Sequence, residues 1–359
     1  MPTPEDILIV GGYGVVGRLV SEHVAPLFPG QVWIAGRDRD KAAEACRALG
    51  HGTRPRAFDM DDPAAVATAL SGVGTVMVCV AQRAPHLLHR AAEAGLAYTD
   101  LSPRLAFGSG LPALAQSARQ SGARLLLGTG LSPGISNVMA RRLADQLGSV
   151  DSVQTSIFLS LGDSYGPDSL RHVFESLERP FEVQRDGRTR RAYPFGERLR
   201  VTFPAPFGPR TTYMFPWSDA VNYPATLGAR SAVGRFALDP AWLGSTAGLL
   251  AQGRLLPRVA RAALAHEASA AVRWLKQRYA QRADFALVVE VEAAGRRCSM
   301  SLVGSKQAYV TAAAAAEMLR MLAAREISAP GLWFAEQVID PERFFGALGR
   351  AGWPVQTHG

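Results

Sequence analysis

Lysine is scarce in this sequence of 359 residues: lysine and arginine together number 39, but Lys41, Lys276 and Lys306 are the only lysines. The formal net charge is +8, yet the arginines are spread along the chain and no basic block is interleaved with aromatic residues. A nucleic-acid-binding domain displays such a block or a recognisable motif. We therefore expect no nucleic-acid partner, and we attribute part of the charge to anionic small molecules.

Cysteine is equally rare, and long apolar runs are absent. Cys46, Cys79 and Cys298 are too few and too scattered for a disulfide framework. No apolar run reaches the about 18 residues that a membrane-spanning helix needs. The N-terminus leads directly into an apolar strand pattern, so we expect no signal peptide. These features predict a cytoplasmic protein without a transmembrane segment.

One catalytic signature and a complete set of metal ligands are missing too. None of the eight tyrosines starts a Tyr-x-x-x-Lys pattern, which excludes the proton donor of short-chain dehydrogenases. His86, His89 and Glu93 share one face of a predicted helix, but no fourth ligand accompanies them. We therefore expect no metal site.

What the sequence does have is a glycine loop near its N-terminus. The apolar run 7–10 leads into Gly12-x-Gly14-x-x-Gly17, and a helical pattern follows. In such a loop the glycines permit a tight turn, close approach of a pyrophosphate and close packing of helix on strand. The pyrophosphate lies at the positive end of the helix. The pattern predicts that a dinucleotide is bound by Gly12, Tyr13, Gly14, Val15, Val16 and Gly17.

The end of the second predicted strand indicates which dinucleotide. An NAD enzyme places an acidic residue about 20 residues after the glycines, against the ribose 2′-hydroxyl. Here the strand 31–36 ends at Gly36 and Arg37, and an arginine offers planar donors that suit a 2′-phosphate. Arg39 adds to the positive field. We therefore predict NADP(H), while Asp38 leaves contact with a ribose hydroxyl as the alternative.

Strand and helix patterns alternate over the first 147 residues. Strands are predicted near 6–11, 31–36, 54–58, 74–80, 97–101 and 123–128, with helices at 15–26, 39–49, 62–71, 84–95, 111–121 and 135–147. Six such units predict an α/β fold with a doubly wound, parallel Rossmann sheet. Ligands bind at the carboxyl ends of the strands in such sheets. Four more residues at strand ends therefore join the predicted cofactor site: Asp59, Val80, Ala81 and Ser102.

From about residue 150 the pattern changes to alternating strands. These are predicted at 151–161, 181–186, 198–203, 210–216, 228–236, 284–293 and 296–303, with helices at 168–177, around 241–279 and at 308–325. The pattern predicts an α+β substrate domain with a mostly antiparallel sheet. We expect a Rossmann domain over 1–134, a substrate and dimerisation domain over 135–306, and a C-terminal helix and tail over 307–359 that pack back on the Rossmann domain.

Several motifs resemble those of the saccharopine dehydrogenase-like NADP-binding oxidoreductase family. They are the glycine loop, the Gly36-Arg37 strand end, residues 97–102, residues 128–137, residues 215–219 and the tail from Pro330 to Gly352. The resemblance implies NADP(H)-dependent redox chemistry at carbon–nitrogen bonds, with a Gly-x-x-Pro-Gly turn at 130–134 between the cofactor and substrate domains. The saccharopine-forming enzymes carry an acidic residue where this chain has Ser132, so their acid–base assignment does not transfer.

Reduction of an imine requires a proton donor for the nitrogen besides the hydride donor. The candidate catalytic residues near the expected cleft are Ser132, Tyr165, His172 and Asp219. Arg171, Arg210 and Arg230 are candidate anchors for a substrate carboxylate. The predicted activity is NADP(H)-dependent reduction of an imine formed from an amine or amino acid and a carbonyl compound, by a homodimer. An NADPH-dependent ketone or enoyl reductase and a non-catalytic NADP(H)-binding sensor are the alternatives.

Overall fold

The computed structural model describes residues 5–101, 110–162, 173–265, 278–279 and 283–358. The chain divides into two compact units. The first contains residues 1–135 and 308–339, and the second contains residues 136–307 and 340–359. Each unit is built around its own β-sheet, and the elements below are numbered in chain order through both units.

A seven-stranded parallel sheet forms the first unit. Its strands are β1 (Asp6–Val10), β2 (Val32–Gly36), β3 (Arg54–Ala57), β4 (Val73–Val78), β5 (Ala97–Asp100), β6 (Arg124–Leu127) and β15 (Gly331–Phe334). They lie in the order β15-β6-β5-β4-β1-β2-β3. The strand order therefore runs outward from β1 in both directions. The carboxyl end of β1 is thus a topological switch point, the place where ligands bind in such sheets.

Helices cover this sheet on both faces. They are α1 (Val15–Val24), α2 (Arg39–Leu49), α3 (Pro63–Ala69), α4 (His86–Glu93), α5 (Leu111–Ser121), α10 (Gln307–Ala323, of which all but the first residue belong to this unit) and α11 (Ala335–Val338). Successive side chains of a strand point to opposite faces. Accordingly Leu8 and Val10 pack in one core with residues of α3, α4 and α5. Ile7 and Ile9 pack in another core with residues of α1, α2 and α10. The predicted doubly wound sheet is confirmed.

The second unit contains a nine-stranded sheet. Its strands are β7 (Ser152–Ser160), β8 (Phe181–Arg185), β9 (Arg188–Ala192), β10 (Arg198–Phe203), β11 (Gly208–Met214), β12 (Ser231–Asp239), β13 (Asp284–Ala293), β14 (Arg296–Ser305) and β16 (Gln356–His358). The order is β10-β11-β12-β7-β13-β14-β16, and β8 pairs with β12 and β9. Among the described pairings only β7 with β12 is parallel. The predicted mostly antiparallel sheet is confirmed.

The helices described for the second unit depart from the prediction in several places, and those at 218–226 and 341–350 were not predicted. The described helices are α6 (Ile135–Leu147, which begins at the last residue of the first unit), α7 (Ser218–Thr226), α8 (Ala241–Gln252), α9 (Leu256–Ala265) and α12 (Pro341–Arg350). The single helix predicted around 241–279 is wrong in its first half, because the chain leaves the helix after Gln252. Arg254 there has φ +56°. Residues 266–277 of that prediction, and 168–172 of the helix predicted at 168–177, lie outside the described residues.

The last 53 residues do not stay together as one segment. Strand β15 adds to the first sheet beside β6, whereas β16 pairs with β14 in the second sheet. Helix α10 packs in the first unit because alanines such as Ala312 and Ala315 let its backbone approach the sheet closely. The segment expected over 307–359 is thus divided between the two units after residue 339.

Candidate nucleotide-binding site

The glycine loop lies at the carboxyl end of β1, in the middle of the first sheet. The Gly14 N–H donates to the Gly11 carbonyl at 2.9 Å, and the Gly11 N–H donates to the Ala35 carbonyl at 2.7 Å. A Cβ on Gly17 would overlap the Gly11 carbonyl oxygen, and a Cβ on Gly11, whose φ is +78°, would overlap the Val80 side chain. Only glycines therefore let α1 and the end of β4 approach the loop this closely.

The N-terminus of α1 is open toward an anion. Gly14 is its N-cap, no side chain caps the helix, and no acidic residue lies in the first turn. The first N–H groups of a helix have no intrahelical partner, and the helix dipole favours negative charge there. Val15, on this first turn, is 45% exposed. The residues present therefore fit a pyrophosphate.

Tyr13 connects the loop to the end of β2. Its hydroxyl accepts a hydrogen bond from the Asp38 N–H at 3.2 Å. Its ring lies against Gly36, where a Cβ would overlap the ring atoms. The packing of Tyr13 therefore requires a glycine at position 36. Arg37, the next residue, lies beside the glycine loop for the same reason.

Two arginines and one aspartate occupy the end of β2, and they differ in their partners. Arg37 and Arg39 are exposed, and neither forms an ion pair with any described residue. Asp38 is the N-cap of α2 and accepts hydrogen bonds from the N–H groups of Asp40 and Lys41, both at 3.1 Å. The bond from the Lys41 N–H is the main cause that lowers the pKa of Asp38 below its ordinary value. The carboxylate is thus engaged in capping, whereas both guanidinium groups are available.

The remaining predicted cofactor residues follow the ends of β3, β4 and β5. Asp59 is exposed and accepts a hydrogen bond from the Asp61 N–H at 3.0 Å. Val80 contacts the glycine loop as described, and Ala81 follows it. Ser102 lies outside the described residues. The parallel sheet thus brings the described members of the predicted site to one edge, the carboxyl ends of β1 to β4.

A buried polar network fixes the loops next to this edge. The Gln82 Nε2 donates to the Tyr98 hydroxyl at 2.7 Å, and that hydroxyl donates to Asp100 Oδ2 at 3.0 Å. Asp100 Oδ1 accepts from the Gly128 N–H at 3.1 Å. Burial, then the nearby Asp100 charge, raises the pKa of Tyr98 well above its ordinary value, so its hydroxyl keeps its proton. The same two causes raise the pKa of the Cys79 thiol.

This network was not predicted as part of the site. Polar residues at the ends of otherwise apolar strands were its signal in the sequence, but the pairing of Gln82 with Tyr98 depends on strand order. The three side chains are at most 2% exposed. They tie together the segments that follow β4, β5 and β6, on the border of the predicted cofactor site.

Ser132 belongs to a tight turn after β6. The Gly130 N–H donates to the Pro133 carbonyl at 2.8 Å, and the Ile135 N–H donates to the Gly130 carbonyl at 2.9 Å. Gly134 has φ +132°, and a Cβ there would overlap the Gly130 backbone. The turn therefore holds Ser132, which is half-buried, at the carboxyl edge of the first sheet.

The other predicted catalytic residues are not in this unit or are not described. Asp219 is in the second unit, in the first turn of α7, and is fully buried. Its carboxylate accepts hydrogen bonds from the Ala220 N–H at 2.8 Å and the Tyr223 hydroxyl at 3.3 Å. Tyr165 and His172 lie outside the described residues. The contacts of Asp219 stabilise α7, and its catalytic role stays a prediction.

The part of the chain that the structure describes contains neither a cluster of metal ligands nor a membrane-spanning helix. No group of three or more histidine, cysteine, aspartate or glutamate residues there could hold a metal ion. None of the helices described is long and apolar enough to cross a membrane.

Comparisons with known proteins bear on the fold. No family model matches the sequence, and neither does any curated protein. The L-Glu-forming saccharopine dehydrogenase of Saccharomyces cerevisiae matches in structure with a TM-score of 0.65, at 14% identity, over 99% of this chain and 100% of that chain. The chain has a saccharopine dehydrogenase-like fold. The resemblance drawn from the motifs is therefore confirmed at the level of the fold.

Two other solved structures are similar over nearly their full length but with lower scores. The DAP dehydrogenase of C. glutamicum, solved with DAP, has a TM-score of 0.46 at 15% identity and covers 95% of this chain and 96% of that one. A myo-inositol dehydrogenase from Corynebacterium glutamicum has a TM-score of 0.46 at 12% identity and covers 99% and 98%.

Proposed function

We propose that this chain is an NADP(H)-dependent oxidoreductase. One observation carries the proposal: an uncapped helix N-terminus and its glycine loop lie at the switch point of a parallel sheet, beside two arginines that form no ion pair with a described residue. The saccharopine dehydrogenase-like fold supports the oxidoreductase class. When bound, the nicotinamide would supply or accept a hydride.

The preference for NADP(H) rests on the three residues that follow β2. A ribose with free hydroxyls needs an acceptor there, but Asp38 already accepts two backbone hydrogen bonds as a helix cap. A 2′-phosphate needs donors, and the guanidinium groups of Arg37 and Arg39 are exposed and available. Arginine binds phosphate through two parallel N–H donors. The first turn of α1 would hold the pyrophosphate, and Tyr13 would keep the loop beside these arginines.

For the reaction we propose reduction of an imine formed from an amine or amino acid and a carbonyl compound. The motif resemblance and the likeness in fold to a saccharopine dehydrogenase support chemistry at a carbon–nitrogen bond. Ser132, in the turn after β6, is proposed as the group that holds or donates a proton at the nitrogen. Tyr165, His172 and Asp219 are the other candidates. A homodimer that acts in the cytoplasm belongs to the same proposal.

The cofactor part of the proposal is tested by Arg37→Ala. Loss of a charge-assisted contact of this kind costs about 1.5–3 kcal/mol, so the Kd for NADPH should rise at least tenfold. The Kd for NADH should change less than threefold. Arg47→Ala is the matched control, because Arg47 is an exposed arginine in the last turn of α2, the helix that follows Arg37. Equal effects of both variants on NADPH binding would contradict a specific phosphate contact.

The catalytic part is tested by turnover with amine and carbonyl pairs. In Ser132→Ala we expect kcat to fall at least tenfold while the Kd for NADPH stays unchanged. Tight NADPH binding without turnover of any pair would favour the sensor, for which the missing acidic residue at position 132 is the sequence support. Turnover of a ketone or an activated alkene without an amine would favour the ketone or enoyl reductase.

A further inference from the structure

A separate cavity lies wholly within the second unit, beside the β8–β9 hairpin. Its volume is about 280 Å³, just below the about 300–1,000 Å³ of pockets for drug-sized ligands. Three arginines and one glutamate line it: Arg185, Arg190, Arg191 and Glu197. We call it the arginine cavity. Its size suits a small metabolite, and its lining is cationic.

The only acidic residue in the described lining is already neutralised. One carboxylate oxygen of Glu197 lies 2.6 Å from Nη2 of Arg185, and the other lies 2.6 Å from Nη2 of Arg235. Burial alone would raise the pKa of Glu197, but the hydrogen bonds and charges of these two arginines outweigh it and lower the pKa. The carboxylate therefore stays ionised and committed to its two partners at neutral pH.

Arg235 holds Glu197 in place from beneath the cavity. It is 4% exposed, its Nε donates to Gln154 Oε1 at 2.8 Å, and its Nη1 has no hydrogen-bond partner among the described residues. In the β11–β12 ladder Arg235 lies opposite Met214, which lines the cavity. Positive charge thus exceeds negative charge in the lining.

Arg190 and Arg191 are the cations left without a counter-charge in the described lining. Both are exposed, and neither forms an ion pair with a described residue. The β8–β9 register places Arg190 opposite Val183, and the guanidinium of Arg191 lies 5.8 Å from the centre of the Tyr193 ring. Val183 and Met214 are buried and apolar. The same register places Arg191 opposite Glu182, on the other face of the hairpin. The cavity therefore combines the available guanidinium group of Arg190 with an apolar floor, and Arg191 adds charge to its lining.

We propose that the arginine cavity binds a small organic oxyanion, a carboxylate or a phosphate with a short apolar body. Arg190, which shares the Val183 face of the hairpin, donates to the oxyanion through paired N–H groups, the geometry that guanidinium groups favour, and Arg191 adds positive charge. The apolar body lies on Val183 and Met214, and Glu197 remains with Arg185 and Arg235. This site lies in the second unit and does not depend on the proposed nucleotide site.

The test is a calorimetric titration of the full chain with benzoate, phenyl phosphate and inorganic phosphate. We expect benzoate or phenyl phosphate to bind at least tenfold more tightly than inorganic phosphate, and the better of the two identifies the oxyanion. Hydrogen exchange of the native chain should slow at residues 183–197 when that probe is added. Absence of binding by both organic probes, or binding without this protection, would overturn the proposal.

Variants separate the cavity from diffuse surface charge. In Arg190→Ala/Arg191→Ala we expect the Kd of the probe to rise at least tenfold. The control Arg200→Ala/Arg296→Ala removes the same charge from exposed arginines of the second unit outside the lining, and its Kd should stay within twofold. An equal rise of the probe's Kd in both double variants would contradict specific binding in the arginine cavity. The Kd for NADPH should stay unchanged in both, so failure of the nucleotide proposal would be seen separately.

Discussion

At the scale of single residues, two glycines show how the surrounding atoms decide whether a glycine-to-alanine substitution lowers the stability of the fold. Gly17→Ala places a Cβ against the Gly11 carbonyl, and overpacking of this kind costs about 1–3 kcal/mol. Gly349 lies in α12, and a Cβ added there would meet no described heavy atom within 4 Å beyond its own helical turn. Gly349→Ala should therefore be neutral or stabilise by up to about 1 kcal/mol.

Urea unfolding of these two variants measures both effects, and NADPH titration adds a second readout. Gly17→Ala should lower the free energy of unfolding and weaken NADPH binding, because the loop must move. If Gly17→Ala were as stable as the parent chain and bound NADPH equally well, the described packing of α1 on β1 would be wrong.

Glu197 gives a pH-dependent prediction at the same scale. Its pKa in the folded chain is lowered from an ordinary value of 4.5. The carboxylate therefore contributes stability above pH 4.5, and this contribution is lost as the pH falls through the folded-state pKa. Because Glu197 is partly exposed, we expect Glu197→Gln to cost only about 1–2 kcal/mol at pH 7.

Chemical unfolding of Glu197→Gln across pH 3 to 8 checks this expectation. The difference from the parent chain should shrink below pH 4.5. Glu292→Gln is the control, because Glu292 pairs with the exposed Arg297 at 3.0 Å and such surface pairs contribute about 0–1 kcal/mol. A difference for Glu197→Gln that is constant with pH would contradict the charge contribution.

Single residues also show how far the sequence predicts the site. The glycine loop, Arg37 and Arg39 are recognisable because their chemistry depends on local spacing within one strand–loop–helix unit. The bond from Gln82 to Tyr98 is not recognisable in this way, since it joins the ends of two strands whose neighbourhood is set by the sheet order. Likewise, only the structure shows that Asp38 is committed to capping α2.

At the scale of elements, the six strand–helix units of residues 6–147 were predicted because their apolar runs are short and clearly bounded by glycines and helix caps. Three strands were missed. Strand β9 (Arg188–Ala192) carries three arginines and no apolar alternation, and β15 and β16 are only four and three residues long. Such strands exist because a neighbouring strand supplies their hydrogen bonds, which local patterns do not reveal.

Helix α10 provides the prediction at this scale. Ala315 is fully buried and packs in the core that contains Ile7, Ile9 and Met77. Ala315→Leu should destabilise the chain by about 1–3 kcal/mol, because the helix has no room for the larger side chain. Ala324→Leu, at an exposed position just after the helix, should change stability little. Thermal unfolding compares the two, and an equal Tm for both would contradict the close packing of α10.

At the scale of the whole molecule, the sequence predicted two domains of different sheet type but not the path of the C-terminus. The chain returns to the first unit for residues 308–339 and then to the second for residues 340–359. This path depends on the open edges of β6 and β14, which accept β15 and β16. A sequence pattern carries no signal for such long-range pairing. Each unit therefore contains segments that are distant in sequence.

The central claim at this scale is that the chain binds NADP(H) through its first unit. The most direct measurement is an equilibrium titration of the parent chain with NADPH and with NADH at the same ionic strength. Since each 1.4 kcal/mol corresponds to a factor of about ten in Kd, the proposed contacts of Arg37 and Arg39 with a 2′-phosphate predict that NADPH binds at least tenfold more tightly than NADH. Tighter binding of NADH, or binding of neither nucleotide, would contradict the claim.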